Sequence, residues 1–176
     1  ILHNADSVEA IIHRQSNYKI ESGKLKWVGA NWETTRSFAT RLDTSNHVMY
    51  YSSWVPFEKS RAVILSEGKV RFIGVQKWEG YAGNVLTVRD IIRDQVGGFI
   101  LNSKNIRFEN VVFHYLHGLG IVSQLSENLT FDRVIFVPPQ SSGRYMASSA
   151  DMLHFSSCKG SIKINNCVFR GAHDDF

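Results

Sequence analysis

Three aspartates carry the reactive chemistry of this sequence. Asp151 opens the stretch DMLHFSSCKGSIKINNCVFRGAHDD, and the adjacent Asp174 and Asp175 close it. If folding brings the three together, one carboxylic acid can donate a proton while another carboxylate activates a water molecule. Carboxylates held that close oppose one another's ionisation, so the crowding is costly unless a ligand or a reaction uses it. The bland alternative is a solvated or cation-binding carboxylate stack. What has to be explained first is which elements could make residues 151 and 174 neighbours.

A repeat supplies them. NIRFENVVF begins at Asn105, NLTFDRVIF begins at Asn128, 23 residues later, and SIKINNCVF begins at Ser161, a further 33. Apolar residues recur at matching offsets: Ile106/Leu129/Ile162, Phe108/Phe131/Ile164, Val111/Val134/Cys167 and Phe113/Phe136/Phe169. The longer interval holds PPQSSGRYMASS, a turn-rich insert of about the missing ten residues. A repeat this short has room for strands but not for a helix, which predicts the coils of a parallel β-helix with the apolar columns stacked inside. Counting back eleven residues from the ladder places Gln95, Gly118 and Asp151 in one column, and counting forward 23 from Asp151 adds Asp174, with Asp175 beside it. Neighbouring rungs lie about 4.8 Å apart. Consecutive strand residues point to opposite faces, so the backbone must bend if Asp174 and Asp175 are both to reach the site. Gly118 and Gly120 are expected to leave a hollow for a ligand on the adjacent rung, and Asn102 and Gln124 to stack as an amide ladder inside the coil.

Ahead of the repeat the pattern differs. Residues 16–88 read as an antiparallel β insertion module, barrel-like or sandwich-like, with hairpin turns at Glu21-Ser22-Gly23-Lys24 and Ser66-Glu67-Gly68-Lys69. Residues 1–15 read as a connecting segment or the end of a preceding β-helix portion, SVEAIIHRQ being ambiguous between strand and short helix. Residues 89–176 are then the parallel β-helix rungs. Hydrophobic residues make up 43% and charged residues 20% of the 176, with only 3 Pro, which is globular rather than disordered composition.

Composition also excludes classes. Lysines and arginines are scattered singly, without the basic run and interleaved aromatics of a nucleic-acid binder. Cys158 and Cys167 lack metal-ligand spacing, and no histidine–carboxylate pattern argues for a metal or other cofactor. No apolar run is long enough to span a membrane. Asn128-Leu129-Thr130 is a formal glycosylation sequon, a triplet common by chance. The chain starts at Ile1, so it reads as a fragment, and the missing leader carries no information on export.

The stretch SSADMLHFSSCKGSIKINNCVFRGAHDD, together with LTVRDIIRDQVGGFILNSKNIRFENVVFHYLHGLGIVSQLSENLTF and the Ser142-Gly143-Arg144 triplet, resembles glycoside hydrolase family 110. These are bacterial exo-acting α-1,3-galactosidases. The resemblance is dense from Val85 to Asp175 and thinner before it. It implies a right-handed parallel β-helix with inserted β-barrel modules, and inverting hydrolysis of terminal α-1,3-linked galactose, including that of blood-group-B-type glycans. It places the catalytic aspartates at Asp151, Asp174 and Asp175. By analogy with the inverting polygalacturonases, Asp174 is the general acid, and Asp151 and Asp175 hold and activate the water. The family's aspartate pair continues into a segment with Asn and His-Gly, whereas this sequence stops at Phe176, so the remainder of the same polypeptide is an expected partner. A secreted or periplasmic bacterial setting is also implied.

Arg144, His117, His154 and His173 are candidates for binding sugar hydroxyls. An exposed loop arginine is more often solvated, and His154 reads more simply as a packed rung residue. Trp27, Trp32, Trp54 and Trp78 could stack on a sugar, but a module core uses Trp just as readily. Two other functions compete with hydrolysis. A β-helix polysaccharide lyase needs a basic Lys or Arg to abstract a proton, and a non-catalytic glycan-binding β-helix needs a groove but no converging aspartates.

Overall fold

A computed structural model describes residues 2–4, 6–52, 56–75, 82–90, 92 and 95–176. Two units emerge, residues 1–91 and 92–176.

The first unit is antiparallel. Its strands are β1 (Leu2–Asn4), β2 (Ser7–Ile11), β3 (Tyr18–Glu21), β4 (Lys24–Val28), β5 (Glu33–Thr34), β6 (Ser37–Asp43), β7 (Val48–Ser52), β8 (Arg61–Ser66), β9 (Lys69–Ile73) and β10 (Val85–Asp90), with one turn of helix, α1 (Pro56–Lys59). They pair as three sheets, β1-β2-β9-β8, β10-β6-β7 and β3-β4-β5. Glu21 pairs with Lys24 across a two-residue loop in which Ser22 (φ 50°) and Gly23 (φ 71°) are both left-handed. That geometry matches the twist of the flanking strands. Val8, Leu25, Val70 and Phe72 form the sealed centre of this unit, each no more than 1% exposed. Each such side chain contributes roughly 1.5–3 kcal/mol by leaving water.

Within residues 1–15, β2 is part of the first unit's sheet. β2 pairs residue for residue with β9, from Ser7↔Ile73 to Ile11↔Lys69, and Val8 enters the core. Ser7-Val8-Glu9-Ala10 alternates too briefly to tell from a helix start. The pairing with a strand some sixty residues away settles it, through Arg71 donating to Glu9 Oε1 (3.0 Å from Nε) and Lys69 lying 2.8 Å from Glu9 Oε2.

The second unit is parallel throughout. Its strands are β11 (Gly98–Leu101), β12 (Lys104–Glu109), β13 (Val112–Phe113), β14 (Ile121–Gln124), β15 (Glu127–Asp132), β16 (Ile135–Phe136), β17 (Leu153–Ser156), β18 (Lys159–Asn165) and β19 (Val168–Phe169). Three successive coils each lay one strand in each of three sheets, β11-β14-β17, β12-β15-β18 and β13-β16-β19. The repeat's columns are the ladder partners: Ile106↔Leu129↔Ile162, Phe108↔Phe131↔Ile164 and Phe113↔Phe136↔Phe169. The rings of Phe113, Phe136 and Phe169 stack face to face, 5.2 and 4.9 Å apart, because the backbone spacing puts them there. Leu129, Phe131, Val134, Phe136 and Met152 are fully buried.

Each coil turns its corners on single left-handed residues. Asn102, Leu125 and Ser157 form one corner column (φ 46°, 53° and 53°), and Asn110, Arg133 and Asn166 another (φ 56°, 53° and 53°). The third holds Asn105 and Asn128 (both φ 58°) and then Gly160 (φ 72°). Asparagine recurs because its short side chain tolerates this conformation. The amide ladder forms at this corner rather than at Asn102 and Gln124: Asn128 Nδ2 donates to Asn105 Oδ1 (3.2 Å), and Ser161 N–H donates to Asn128 Oδ1 (3.0 Å).

Gly160 also marks an extra residue. Glu127 pairs with Lys159 but Leu129 pairs with Ile162, so the third coil carries a bulge. The offset between coils is 32 residues before it (Ile121↔Leu153) and 33 after it.

Candidate active site

Asp151 lies in the turn leading into β17 and is 8% exposed. Its Oδ2 is 2.8 Å from His154 Nδ1. An ionised carboxylate only accepts hydrogen bonds, so the imidazole proton of this contact sits on Nδ1. β17 alternates Leu153 inward and His154 outward, and the His154 side chain is 41% exposed. Ser148, fully buried, donates its hydroxyl to the Asp151 carbonyl. Ser148 in turn offers its own carbonyl to His173, whose Nδ1 is 3.0 Å away.

The last coil brings the aspartate pair in. Met152 donates its N–H to the Asp175 carbonyl (3.2 Å), and Leu153 to that of Phe176 (2.9 Å). In this ladder an N–H bonds the carbonyl one residue before its partner, as Ile121, paired with Leu153, bonds Met152. Met152 therefore faces Phe176, and Asp151 faces Asp175 rather than Asp174. Adding the 23-residue repeat to Asp151 falls one short because the bulge at Gly160 gives this coil an extra residue. Asp174 and Asp175 are both exposed, whereas Asp151 is buried.

Gly118 and Gly120 do not open a hollow. A Cβ on Gly120 (φ 68°) would lie 2.5 Å from the carbonyl oxygens of both Asp151 and Met152, and one on Gly118 (φ 58°) would collide with the carbonyl of Gln95. Both glycines let adjacent coils approach closely beneath the carboxylate.

The remaining candidates divide. His173 is 7% exposed and holds backbone, so it does not present itself to a sugar. His117 is partly exposed, and its carbonyl closes the turn to Gly120 (3.1 Å). Arg144, in the insert, places its guanidinium 5.4 Å from the centroid of the Tyr115 ring, a cation–π arrangement on the rim of the coil. Tyr115, 46% exposed, is invisible to sequence reasoning because nothing in its own coil marks it. The Asp151–His154 pair is absent from the sequence expectations too, although its spacing of three residues is in plain view. Trp27 packs edge-on against Tyr18 (6.5 Å) beside the first unit's core, and the Trp32 indole fills the space over Gly29. Trp54 and Trp78 lie outside the described residues. Among the described residues no group of three or more His, Cys, Asp or Glu side chains could hold a metal ion, and no helix is long and apolar enough to cross a membrane.

An all-β chain with an antiparallel module followed by stacked parallel coils, presenting carboxylates at one edge, is the class these features define. Comparison with known proteins narrows it. Residues 1–86 match the model of GLAA-B beta-barrel domain I. Along 95% of its length the chain is 48% identical to alpha-1,3-galactosidase A of Bacteroides fragilis, of which it spans 28%. It is 37% identical over 93% of its length to alpha-1,3-galactosidase A of Bacteroides thetaiotaomicron (29% of that protein), and 34% identical over 97% to that of Akkermansia muciniphila (28%). The chain is thus similar over nearly its whole length to these bacterial alpha-1,3-galactosidases, and it spans less than a third of theirs.

Proposed function

We propose that this chain is a segment of a glycoside hydrolase that removes terminal α-1,3-linked galactose with inversion, using Asp151, Asp174 and Asp175. Its second unit would be part of a right-handed parallel β-helix, and the rest of the same polypeptide would complete the site. The observation that carries the reading is the register of Asp151 with Asp175, one coil apart, with Asp174 adjoining, in a chain whose relatives are named for this activity. Inversion in a single step requires an acid and a base separated by roughly 6.5–9.5 Å, with the water between base and sugar. Asp174, exposed and one position out of register, is the general acid that protonates the leaving oxygen. Asp151 and Asp175, facing each other across the rungs, hold the water and take its proton. Arg144 and Tyr115 lie where the insert meets the coil and suit a sugar's hydroxyls and apolar face.

The test uses the longest polypeptide containing this chain and an α-1,3-galactosyl disaccharide. Galactose release that falls by at least roughly 10³-fold in each of Asp151→Asn, Asp174→Asn and Asp175→Asn, with retained substrate affinity, supports the reading. Binding without release in the parent protein would make the module a glycan binder instead.

A further inference from the structure

We infer that His154 is a positioning residue that fixes the orientation of the Asp151 carboxylate within the aspartate cluster. This rests on the hydrolase reading and deepens it. The two oxygens of Asp151 are not equivalent. Oδ2 accepts the Nδ1 proton of His154 (2.8 Å), whereas no side-chain hydrogen bond to Oδ1 is found among the described residues. The 2.8 Å contact sets the rotation of the Asp151 carboxylate, and with it the direction in which Oδ1 points.

The backbone around Asp151 is held from the other side. Its carbonyl accepts from the buried Ser148 hydroxyl, and the Ser148 carbonyl meets Nδ1 of the buried His173, the residue just before Asp174. Ala147 and Ser148 also donate to the Gly171 carbonyl, at 2.7 and 3.2 Å. His173 thus ties the coil bearing Asp174 and Asp175 to the turn bearing Asp151, while His154 fixes the side chain's rotation. Of these two histidines, His154 contacts the Asp151 carboxylate and His173 the backbone beside it. Positioning of this kind shows in the chemical step, because a misdirected base loses the transition state more than the ground state.

Two measurements test this on the longest polypeptide. Steady-state kinetics on the α-1,3-galactosyl disaccharide should show kcat falling roughly 10²-fold in His154→Ala with KM changed less than about twofold. His154→Asn, whose amide can still donate near the Nδ1 position, should recover most of that loss. A rise in KM at unchanged kcat would make His154 a sugar ligand and overturn the proposal, as would equal losses in the Asn and Ala variants. The second measurement does not depend on activity: ¹⁵N NMR of the histidine rings should find the His154 proton on Nδ1, moving to a mixture of tautomers in Asp151→Ala. A His154 ring indifferent to Asp151→Ala would refute the pairing. If the pairing is found but the parent protein releases no galactose, the hydrolase reading has failed and the contact itself stands.

Discussion

The two units of this chain solve one problem, ending a strand and beginning the next, in opposite ways. In the first, a strand returns beside its neighbour through a tight loop, as at Ser22-Gly23, so pairing is decided within a few residues. In the second, a strand turns a corner on one left-handed residue and meets its partner only one coil later, 23 or more residues on. Register in the antiparallel unit is therefore local. In the parallel unit it is inherited, and one added residue at Gly160 changes which aspartate lies over which.

This contrast can be broken most severely at the stacked core. Phe131→Ala should destabilise the parallel unit by about 3–5 kcal/mol, because its ring lies 5.1 Å from Phe108 and is fully buried. Urea unfolding followed by far-UV circular dichroism measures it. Next is Gly120→Ala, where a Cβ meets two carbonyl oxygens of the adjacent coil at a left-handed φ. A loss of about 1–3 kcal/mol is expected in the same assay, with galactose release reduced in proportion to the displacement of Asp151.

The corners sharpen the comparison. Leu125 holds φ 53° while its side chain is 59% exposed, so Leu125→Gly should stabilise by up to about 1 kcal/mol. In the hairpin the sign reverses: Gly23→Ala should destabilise by about 1 kcal/mol, for the same backbone reason. A thermal-shift comparison of the two variants separates these outcomes.

The smallest effect is electrostatic and belongs to the antiparallel unit. The hydrogen bond from Lys69, and then that from Arg71, holds the Glu9 carboxyl below the ordinary glutamate range. A carboxyl depressed by folding stabilises above its unfolded value and loses that contribution as pH falls through its folded value. Glu9→Gln should therefore melt slightly lower than the parent at neutral pH, and the gap should close below about pH 4. A gap that widens on acidification would show that the pairing is not what Glu9 contributes.

Much of the fold is legible in the amino-acid sequence. The columns through Ile106, Phe108 and Phe113 can be read because parallel coils repeat their apolar positions at a near-constant interval. The hairpins can be read because Gly23 and Gly68 sit where a two-residue turn needs them. What escapes are contacts that no periodicity encodes. The bulge at Gly160 adds one residue without a visible break in pattern, and so displaces the aspartate column. The pairing of β2 with β9 depends on a partner far along the chain. His154 reads as rung packing because strand alternation says only which way a side chain points, not that the turn before it swings Asp151 to the same side. The glycines at 118 and 120 suggest open space in a sequence, whereas neighbouring backbone fills the room their missing side chains leave.

The central claim is that these carboxylates act on a glycosidic bond in one inverting step. Following the first turnovers of an α-1,3-galactosyl disaccharide by ¹H NMR, with the longest polypeptide, tests it most directly. β-Galactose appearing first and mutarotating to the equilibrium mixture is the predicted result. Initial release of α-galactose would require a covalent intermediate on one of the aspartates and would contradict the account.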